Sequence, residues 1–153
     1  MSERRDPGDV VSRRAPEPVG AFPHAKRVGS LLFLSGIGPR KRGSKTIPGV
    51  TQNEAGEVVE YDIETQTLAV FENVRTVIED AGASWDDIVD VTVFLTDMRR
   101  DFATFNRLYA EAFRDNQPTR TTVEVGALPT PIAVELKVVA SPRVGQRQGE
   151  RDR

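Results

Sequence analysis

Apolar residues recur at helical spacing between Asp62 and Gly82, and this pattern constrains the fold more than any other part of the chain. Asp62 has the side chain of a helix N-cap, and Gly82 suits the end of a helix. The apolar face comprises Ile63, Thr67, Val70, Phe71, Val74, Val77, Ile78 and Ala81. A helix with a single apolar face must bury that face against another layer, so the sequence predicts a layered domain.

A second helix and five strands are predicted around this helix. Residues 27–35 (RVGSLLFLS) form a strand pair that turns at Gly29 and Ser30, and residues 88–96 (IVDVTVFLT) alternate as a strand. Asp101 is predicted to cap the second helix, and residues 118–140 supply two final strands. The predicted buried positions are Val89, Val91, Val93 and Leu95 in the strand, and Phe102, Phe105, Leu108, Tyr109, Ala112 and Phe113 in the helix. The order β-β-α-β-α-β-β predicts an α+β domain of two layers, with a mixed sheet and both helices on one face.

Three segments lack this periodicity. Residues 1–18 and 142–153 are charged and contain little apolar surface, so we predict two mobile tails that flank a single domain over residues 19–141. Residues 37–60 form a long loop that is interrupted by glycine and proline. A loop of this length in a compact domain is more often functional or mobile than accidental. Its basic cluster comprises Arg40, Lys41, Arg42 and Lys45.

The composition excludes several classes of protein. A formal net charge of -2 gives no basic field for nucleic acid. No apolar run approaches the roughly 18 residues of a membrane span, and the N-terminus lacks the apolar stretch of a signal peptide. We therefore expect a cytoplasmic protein without a nucleic-acid or membrane partner.

The chain also has no cysteine and a single histidine, His24. These absences remove the thiolate nucleophile and argue against any metal site rich in Cys or His ligands. Any chemistry must come from arginine, carboxylates, hydroxyls, backbone groups and water.

The segment PTRTTVEVGALPTPIAVELKVVA (residues 118–140) places two charged side chains in an otherwise sheet-like pattern. If it forms a hairpin in which Val125 pairs with Ile132, its apolar residues fall on the face that meets the helices. Arg120 and Glu135 then become diagonal neighbours on the other face, within reach of each other. This polar face is either solvated, with a weak ion pair, or it lines a cleft in which Arg120 binds a carboxylate and Glu135 handles water.

Several motifs between residues 15 and 140 occur together. They are Gly20-Ala21-Phe22, Ser35-Gly36, VTVFLTDM (residues 91–98), DFATFN (residues 101–106) and PTRTTVEV followed by ALP and VEL. With these motifs the chain resembles the Rid family, the YjgF-like deaminases of reactive enamines and imines. The resemblance implies a chorismate-mutase-like fold and a homotrimer with active sites in the clefts between subunits. It also implies hydrolysis of 2-imino or 2-enamino acids to 2-oxo acids and ammonia, without metal or organic cofactor.

The resemblance also implies the roles of individual residues. Arg120 matches the arginine that binds the substrate α-carboxylate, and Glu135 matches the glutamate that positions or activates water. Ser35 and Gly36 match a segment that lines the pocket, and Asn106 matches an asparagine near the cleft.

Two positions depart from the family pattern. Phe22 stands where the family usually has tyrosine, so no phenol is available there. Thr122 stands where cysteine is common, so a thiol is dispensable or the substrate differs.

Three further features resemble the 2-aminomuconate deaminases within this family: residues 22–25 (FPHA), residues 35–40 (SGIGPR) and the basic loop. 2-Aminomuconate is an enamine dicarboxylate, so its enzyme needs a second cation besides Arg120. Arg40 or another member of the basic cluster is predicted to supply that cation, unless the cluster is simply solvated. His24 is either a structural hydrogen-bonding residue or a proton donor to the substrate.

The leading hypothesis is therefore a hydrolase that converts 2-aminomuconate to 4-oxalocrotonate and ammonia. The alternatives are a broad deaminase that acts on 2-aminoacrylate and similar enamines, a trimer that binds ligands without catalysis, or an RNA-cleaving protein. The acidic net charge and the presence of both Arg120 and Glu135 disfavour the last two.

Overall fold

The structure is a computed structural model that describes residues 6–143. The helices are α1 (Ile63–Asp80) and α2 (Met98–Ala112), and a single turn of 3-10 helix spans Trp85–Asp87. The strands are β1 (Asp9–Val10), β2 (Ala25–Val28), β3 (Leu31–Leu34), β4 (Val50–Gln52), β5 (Val58–Tyr61), β6 (Ile88–Leu95), β7 (Thr119–Glu124) and β8 (Val134–Ala140).

The main sheet of the described residues has the strand order β1-β2-β3-β8-β6-β7. β6 and β7 run parallel because α2 carries the chain back between them, and the other neighbours are antiparallel. α1 packs on β8 and on α2, and α2 packs on β6, so both helices lie on one face. The predicted two-layer α+β fold with a mixed sheet is confirmed.

The core lies between the helices and the sheet. Asp62 caps α1 as predicted, because its carboxylate accepts a hydrogen bond from the backbone N–H of Thr65 at 3.3 Å. The helix side contributes Val70, Val74, Val77 and Ile78, and the sheet side contributes Leu32, Leu34, Val91, Val93, Leu95, Val134, Leu136 and Val138, all fully buried. Each such side chain contributes about 1.5–3 kcal/mol to the free energy of unfolding. None of the helices within residues 6–143 is long and apolar enough to cross a membrane.

The predicted hairpin of residues 118–140 is wrong. β6 inserts between its two strands, so β7 and β8 each pair with β6 and not with each other. β6 is the longest strand of the described sheet and it is apolar on its buried face, so it takes the central position between both. The nine residues between Glu124 and Val134 are long enough to cross over it.

The prediction of a mobile N-terminal tail over residues 1–18 is wrong for the part that the structure describes. β1 pairs with β2, and Ser12 and Ala15 are each only 1% exposed. Ser12 Oγ donates to Asp80 at 2.6 Å, and Arg14 pairs with the same carboxylate at 2.5 Å. A few anchors therefore hold a segment whose composition is that of a tail. The predicted C-terminal tail, residues 142–153, lies mostly outside the described residues.

Four local predictions also need correction. Within the predicted loop of residues 37–60, β4 and β5 form an antiparallel ribbon. The cap of α2 is Asp97, which accepts from the N–H of Arg100 at 3.0 Å, and Asp101 lies inside the helix, buried and bonded to the hydroxyl of Tyr61 at 2.6 Å.

Two side chains that were predicted to be buried are exposed. Val89 is 42% exposed, because the register shifts next to it and Ile88 is buried instead. Phe102 is 37% exposed on α2.

Candidate active site

A pocket of about 250 Å³ lies at the end of β3, beside β8. Its walls are mostly apolar and include a proline-rich stretch before β2 and the loop before β8. The described lining brings together six of the nine residues that the sequence predicted. These six are Phe22, His24, Ser35, Gly36, Arg40 and Glu135, and we call this cavity the Glu135 pocket.

Glu135 is the acidic residue of this pocket. It alternates with the buried Val134 and Leu136 on β8, so its side chain projects from the sheet face opposite the helices. Burial raises the pKa of the Glu135 carboxyl above its ordinary value. A Cβ atom at Gly36 would lie 2.9 Å from one carboxylate oxygen of Glu135, so glycine at position 36 is what permits this close approach. The result is a half-buried carboxylate with a raised pKa at the wall of a largely apolar cavity.

Ser35 and Phe22 complete the wall near Glu135. The hydroxyl of Ser35 donates to the carbonyl of Pro23 at 2.7 Å, which leaves its oxygen lone pairs as acceptors. Phe22 is 43% exposed, so its ring lies at the rim of the pocket.

His24 lines the same pocket but both of its ring nitrogens are already bonded. Nδ1 accepts from the N–H of Ser12 at 3.0 Å, so Nε2 carries the proton and donates it to the carbonyl of Pro16 at 2.8 Å. The ring is 4% exposed. The geometry therefore favours the structural alternative for His24, which joins β2 to the N-terminal segment, and it does not support the prediction that His24 is a proton donor.

The members of the basic cluster have different environments. Arg40 lines the pocket, and its Nη2 donates to the carbonyl of Glu17 at 2.6 Å. Arg42 is bonded to the carbonyl of Ala15 at 2.8 Å and to the Glu17 carboxylate at 3.2 Å, so it anchors the N-terminal segment. Lys41 and Lys45 are exposed. Arg40 is therefore the member of the cluster whose charge lies at the described pocket wall.

The other three predicted residues lie elsewhere. Arg120 is opposite Val91 in the parallel pair of β6 and β7, so it shares the helix-side face with the buried Val91. Nη2 of Arg120 donates to Oδ1 of Asn106 at 2.9 Å, and its guanidinium carbon lies 4.6 Å from the centre of the Tyr109 ring. Thr122 is two residues further along the same face, and its buried hydroxyl has no hydrogen-bond partner among the described residues.

Arg120 and Glu135 are therefore not neighbours within one chain. β6 separates their strands, and their side chains leave opposite faces of the sheet. The sequence predicted both residues but placed them on one face, because it assumed the wrong partner for β7.

Sequence reasoning also assigned Tyr109 to the core alone. Tyr109 is buried, but its ring also supports Arg120. Its position three residues after Asn106, on the same side of a helix, was the available signal. The pocket walls from Pro16 and Pro18 were missed because residues 1–18 were interpreted as a tail.

Fold and pocket together define a class of protein: a two-layer α+β domain with a half-buried carboxylate at a largely apolar cavity and an arginine displayed on the other sheet face. Within residues 6–143, no group of three or more His, Asp and Glu side chains is placed to hold a metal ion.

Comparison with known proteins identifies the family. The family model described as Endoribonuclease L-PSP matches residues 12–141. A RutC family protein of Pyrococcus abyssi is 37% identical over 131 residues, which are 86% of this chain and 94% of the relative. TdcF of Escherichia coli, whose name proposes a reactive intermediate deaminase, is 34% identical over 134 residues, with 86% and 94% covered. The crystal structure of E. coli TdcF with bound serine has a TM-score of 0.74 at 32% identity and covers 87% of this chain and 97% of that one. The chain therefore belongs to the Rid (YjgF-like) family.

Proposed function

We propose that this protein is a hydrolytic deaminase of 2-enamino and 2-imino acids. The observation that carries the proposal is the half-buried carboxylate of Glu135, which has a raised pKa and lies against Gly36 in a cavity with largely apolar walls. Such a carboxylate can accept a proton from water and return it to a leaving group. The name of the relative TdcF supports the same reaction class.

The reaction needs few groups from the protein. An enamine that gains a proton from solvent at its β-carbon becomes an iminium ion, and a water molecule bound to Glu135 adds to the iminium carbon while Glu135 accepts one proton of that water. Glu135 then returns this proton to the nitrogen of the carbinolamine and accepts the proton of the new hydroxyl group as the C–N bond breaks, which releases ammonia and a 2-oxo acid. Loss of the last proton from Glu135 to solvent restores the carboxylate. Arg120 binds the α-carboxylate by a bidentate pair of charge-assisted hydrogen bonds. Release of ammonia and 2-oxo acid from freshly generated 2-aminoacrylate tests the reaction class, and no acceleration over the uncatalysed rate contradicts it.

The two halves of this site require more than one copy of the chain. Arg120 and Glu135 leave opposite faces of one sheet, so they meet across a ligand only if one copy supplies Arg120 and another supplies Glu135. Any closed ring of identical contacts satisfies this requirement at every interface, and the resemblance to the Rid family implies a ring of three. We therefore propose a homotrimer with three sites between subunits.

A site shared between subunits gives a distinctive result when two inactive variants are mixed. Arg120→Ala and Glu135→Gln subunits, mixed equally and reassembled, should recover about a quarter of the wild-type activity. The reason is that one interface arrangement in four then pairs an intact Arg120 with an intact Glu135. Activity is measured after unfolding and refolding the mixture, and light scattering checks the mass of the assembly.

The control for this experiment carries both substitutions in one chain and is refolded alone. It contains no intact pair and should stay inactive. If the mixed variants also stay inactive while forming trimers, or if the wild-type protein is a monomer at micromolar concentration, the shared site is wrong.

We further propose that the substrate is an enamine dicarboxylate of the 2-aminomuconate type, which would yield 4-oxalocrotonate and ammonia. Arg40 supports this proposal because it lies at the wall of the Glu135 pocket. Of its side-chain nitrogens, only Nη2 has a hydrogen-bond partner among the described residues, the carbonyl of Glu17. Arg40 would bind the distal carboxylate while Arg120 of another subunit binds the α-carboxylate. A broad deaminase for substrates with one carboxylate would have no use for this cation.

Neutralising Arg40 should lower activity for one substrate class only. We expect Arg40→Gln to lower kcat/KM for 2-aminomuconate. The loss should correspond to an increase in activation free energy of about 1.5–3 kcal/mol, the contribution of a hydrogen bond to a charged group. The value for 2-aminoacrylate should barely change, because this substrate has no second carboxylate. Steady-state kinetics with both substrates measure the difference.

Two variants separate this effect from damage to the N-terminal segment. Arg42→Gln removes the other anchor of that segment, and Lys45→Gln removes an exposed charge of the same cluster. Neither should discriminate between the substrates. Equal losses for both substrates in Arg40→Gln, or the same discrimination in Arg42→Gln, would leave the broad deaminase as the better description.

A further inference from the structure

We infer that Asn106 and Tyr109 form a rigid support that fixes the plane of the Arg120 guanidinium and leaves one edge of it available to a ligand. The inference rests on the proposed function only for the identity of that ligand, a carboxylate. Within that function both residues are positioning residues, since they act through Arg120. We call the pair the arginine support.

The support contacts Arg120 from two directions. Asn106 Oδ1 accepts from Nη2 at 2.9 Å, which fixes one end of the planar group. The guanidinium carbon lies over the ring of Tyr109, 4.6 Å from the ring centre, and it lies 5.9 Å from the centre of the Phe102 ring. A planar group that is hydrogen-bonded at one end and held over an aromatic ring keeps only small freedom of rotation. Its remaining N–H groups are then oriented before a ligand arrives, which reduces the entropy lost on binding.

Helix α2 provides both parts of the support with the correct spacing. Asn106 and Tyr109 are three residues apart, so they lie on the same side of the helix and one turn apart along it. Tyr109 is 8% exposed and is packed in an aromatic cluster with Phe71, Phe105 and Phe113. The platform under Arg120 is therefore part of the hydrophobic core, and the core fixes its position.

The chemistry of both supporting residues leaves the charge of Arg120 available. The amide of Asn106 accepts a hydrogen bond without carrying a charge, whereas an aspartate there would neutralise Arg120 and compete with a carboxylate ligand. Burial raises the pKa of the Tyr109 hydroxyl to about 12, although the charge of Arg120 acts in the opposite direction. Tyr109 therefore stays neutral at physiological pH.

The hydroxyl of Tyr109 has no hydrogen-bond partner among the described residues. The ring, and not the hydroxyl, is therefore the part of Tyr109 that the support uses. Removal of an unbonded buried hydroxyl should also cost little stability. Phenylalanine at this position should preserve the support, and a branched aliphatic side chain should remove it.

The first test measures the motion of Arg120 without any substrate. In ¹⁵N relaxation experiments on the full chain, the Nε–H group of Arg120 should be ordered in the wild type and in Tyr109→Phe, and mobile in Tyr109→Leu and Asn106→Ala. The resonance is assigned by its absence from Arg120→Lys. Phe113→Leu is the matched control, because Phe113 is buried in the same cluster at 2% exposure and its ring centre lies 4.4 Å from that of Tyr109. This control should leave Arg120 ordered.

The second test measures turnover of an enamine acid by the Tyr109 and Phe113 variants and by a further variant, Asn106→Asp. Tyr109→Leu and Asn106→Asp should raise KM by about 10-fold or more, with a smaller change in kcat, since the interaction with the carboxylate is made before and during the reaction. Tyr109→Phe and Phe113→Leu should stay within about 3-fold of the wild type, because the platform under Arg120 remains.

The two tests can give negative results independently of each other. If the wild type has no deaminase activity, the proposed function is wrong, and the relaxation experiment still decides the support. If Arg120 is equally mobile in the wild type and in Tyr109→Leu, the inference is overturned even in an active enzyme. If Tyr109→Leu does not fold, Asn106→Ala decides the question, because Asn106 is exposed and its loss removes no core contact. An ordered Arg120 in Asn106→Ala would then overturn the inference.

Discussion

Arg120→Ala is expected to reduce kcat/KM by at least about 100-fold, because two charge-assisted hydrogen bonds to the substrate carboxylate are lost together, each contributing about 1.5–3 kcal/mol. The fold should be preserved. Arg120 is only half-buried at the edge strand β7, and its loss removes a cation–π contact with Tyr109 that contributes about 0.5–1 kcal/mol. Kinetics and thermal unfolding on the same preparation measure both quantities.

Arg120→Lys separates charge from geometry. Lysine retains the positive charge but offers a single ammonium group that neither forms a bidentate pair nor stacks flat on the Tyr109 ring. We expect kcat/KM to remain at least about 10-fold below the wild type, the cost of one such hydrogen bond. Wild-type kinetics in Arg120→Lys would show that a point charge is sufficient, and the carboxylate-binding geometry proposed for Arg120 would have to be abandoned.

Glu135→Gln is expected to lower kcat by roughly 10²–10⁴-fold while the substrate still binds, because glutamine keeps the shape of the side chain but cannot accept a proton. Glu111→Gln makes the same charge change on the exposed side of α2 and is the matched control, with kinetics that should equal the wild type. A raised KM with an unchanged kcat in Glu135→Gln would assign Glu135 to binding and not to the chemical step.

The dependence of activity on pH gives a second measurement of the same group. Burial raises the pKa of Glu135, and the reaction requires its ionised form. Activity should therefore fall as the pH is lowered through the raised pKa, starting at a higher pH than an exposed glutamate would give. The residual activity of Glu135→Gln should lack this acidic limb, and an identical pH profile in the variant would show that another group is responsible.

The separation of Arg120 from Glu135 connects these predictions. Two residues on opposite faces of one sheet cannot act on one small molecule within a single chain. If the proposed assembly is correct, the fold displays the carboxylate-binding group and the water-handling group separately and relies on association to combine them. Dissociation would then abolish activity without unfolding any subunit, which dilution kinetics can detect.

Much of the architecture was determined by the sequence alone, because the relevant patterns are local. Helix α1 and its Asp62 cap follow from the spacing of apolar residues over a few turns and from one side chain that bonds within three residues. The turn between β2 and β3 follows from Gly29, which has φ of +58°. Family motifs then pointed to Glu135, Ser35 and Gly36, and the structure gathers these three in one pocket.

The tertiary structure alone decided how the site is divided. Residues 118–140 contain two strands whose sequences are compatible with pairing to each other or to β6. The sequence does not decide between these partners, because strand pairing joins segments that are distant along the chain. The path of α2 from β6 to β7 decided the partner, and this choice placed Arg120 on the helix side, over Tyr109. The role of His24 was fixed in the same way, by Ser12 and Pro16 in a segment with the composition of a tail. Helix periodicity is a property of neighbouring residues, whereas the face and the bonding partners of a side chain depend on the packing of the whole chain.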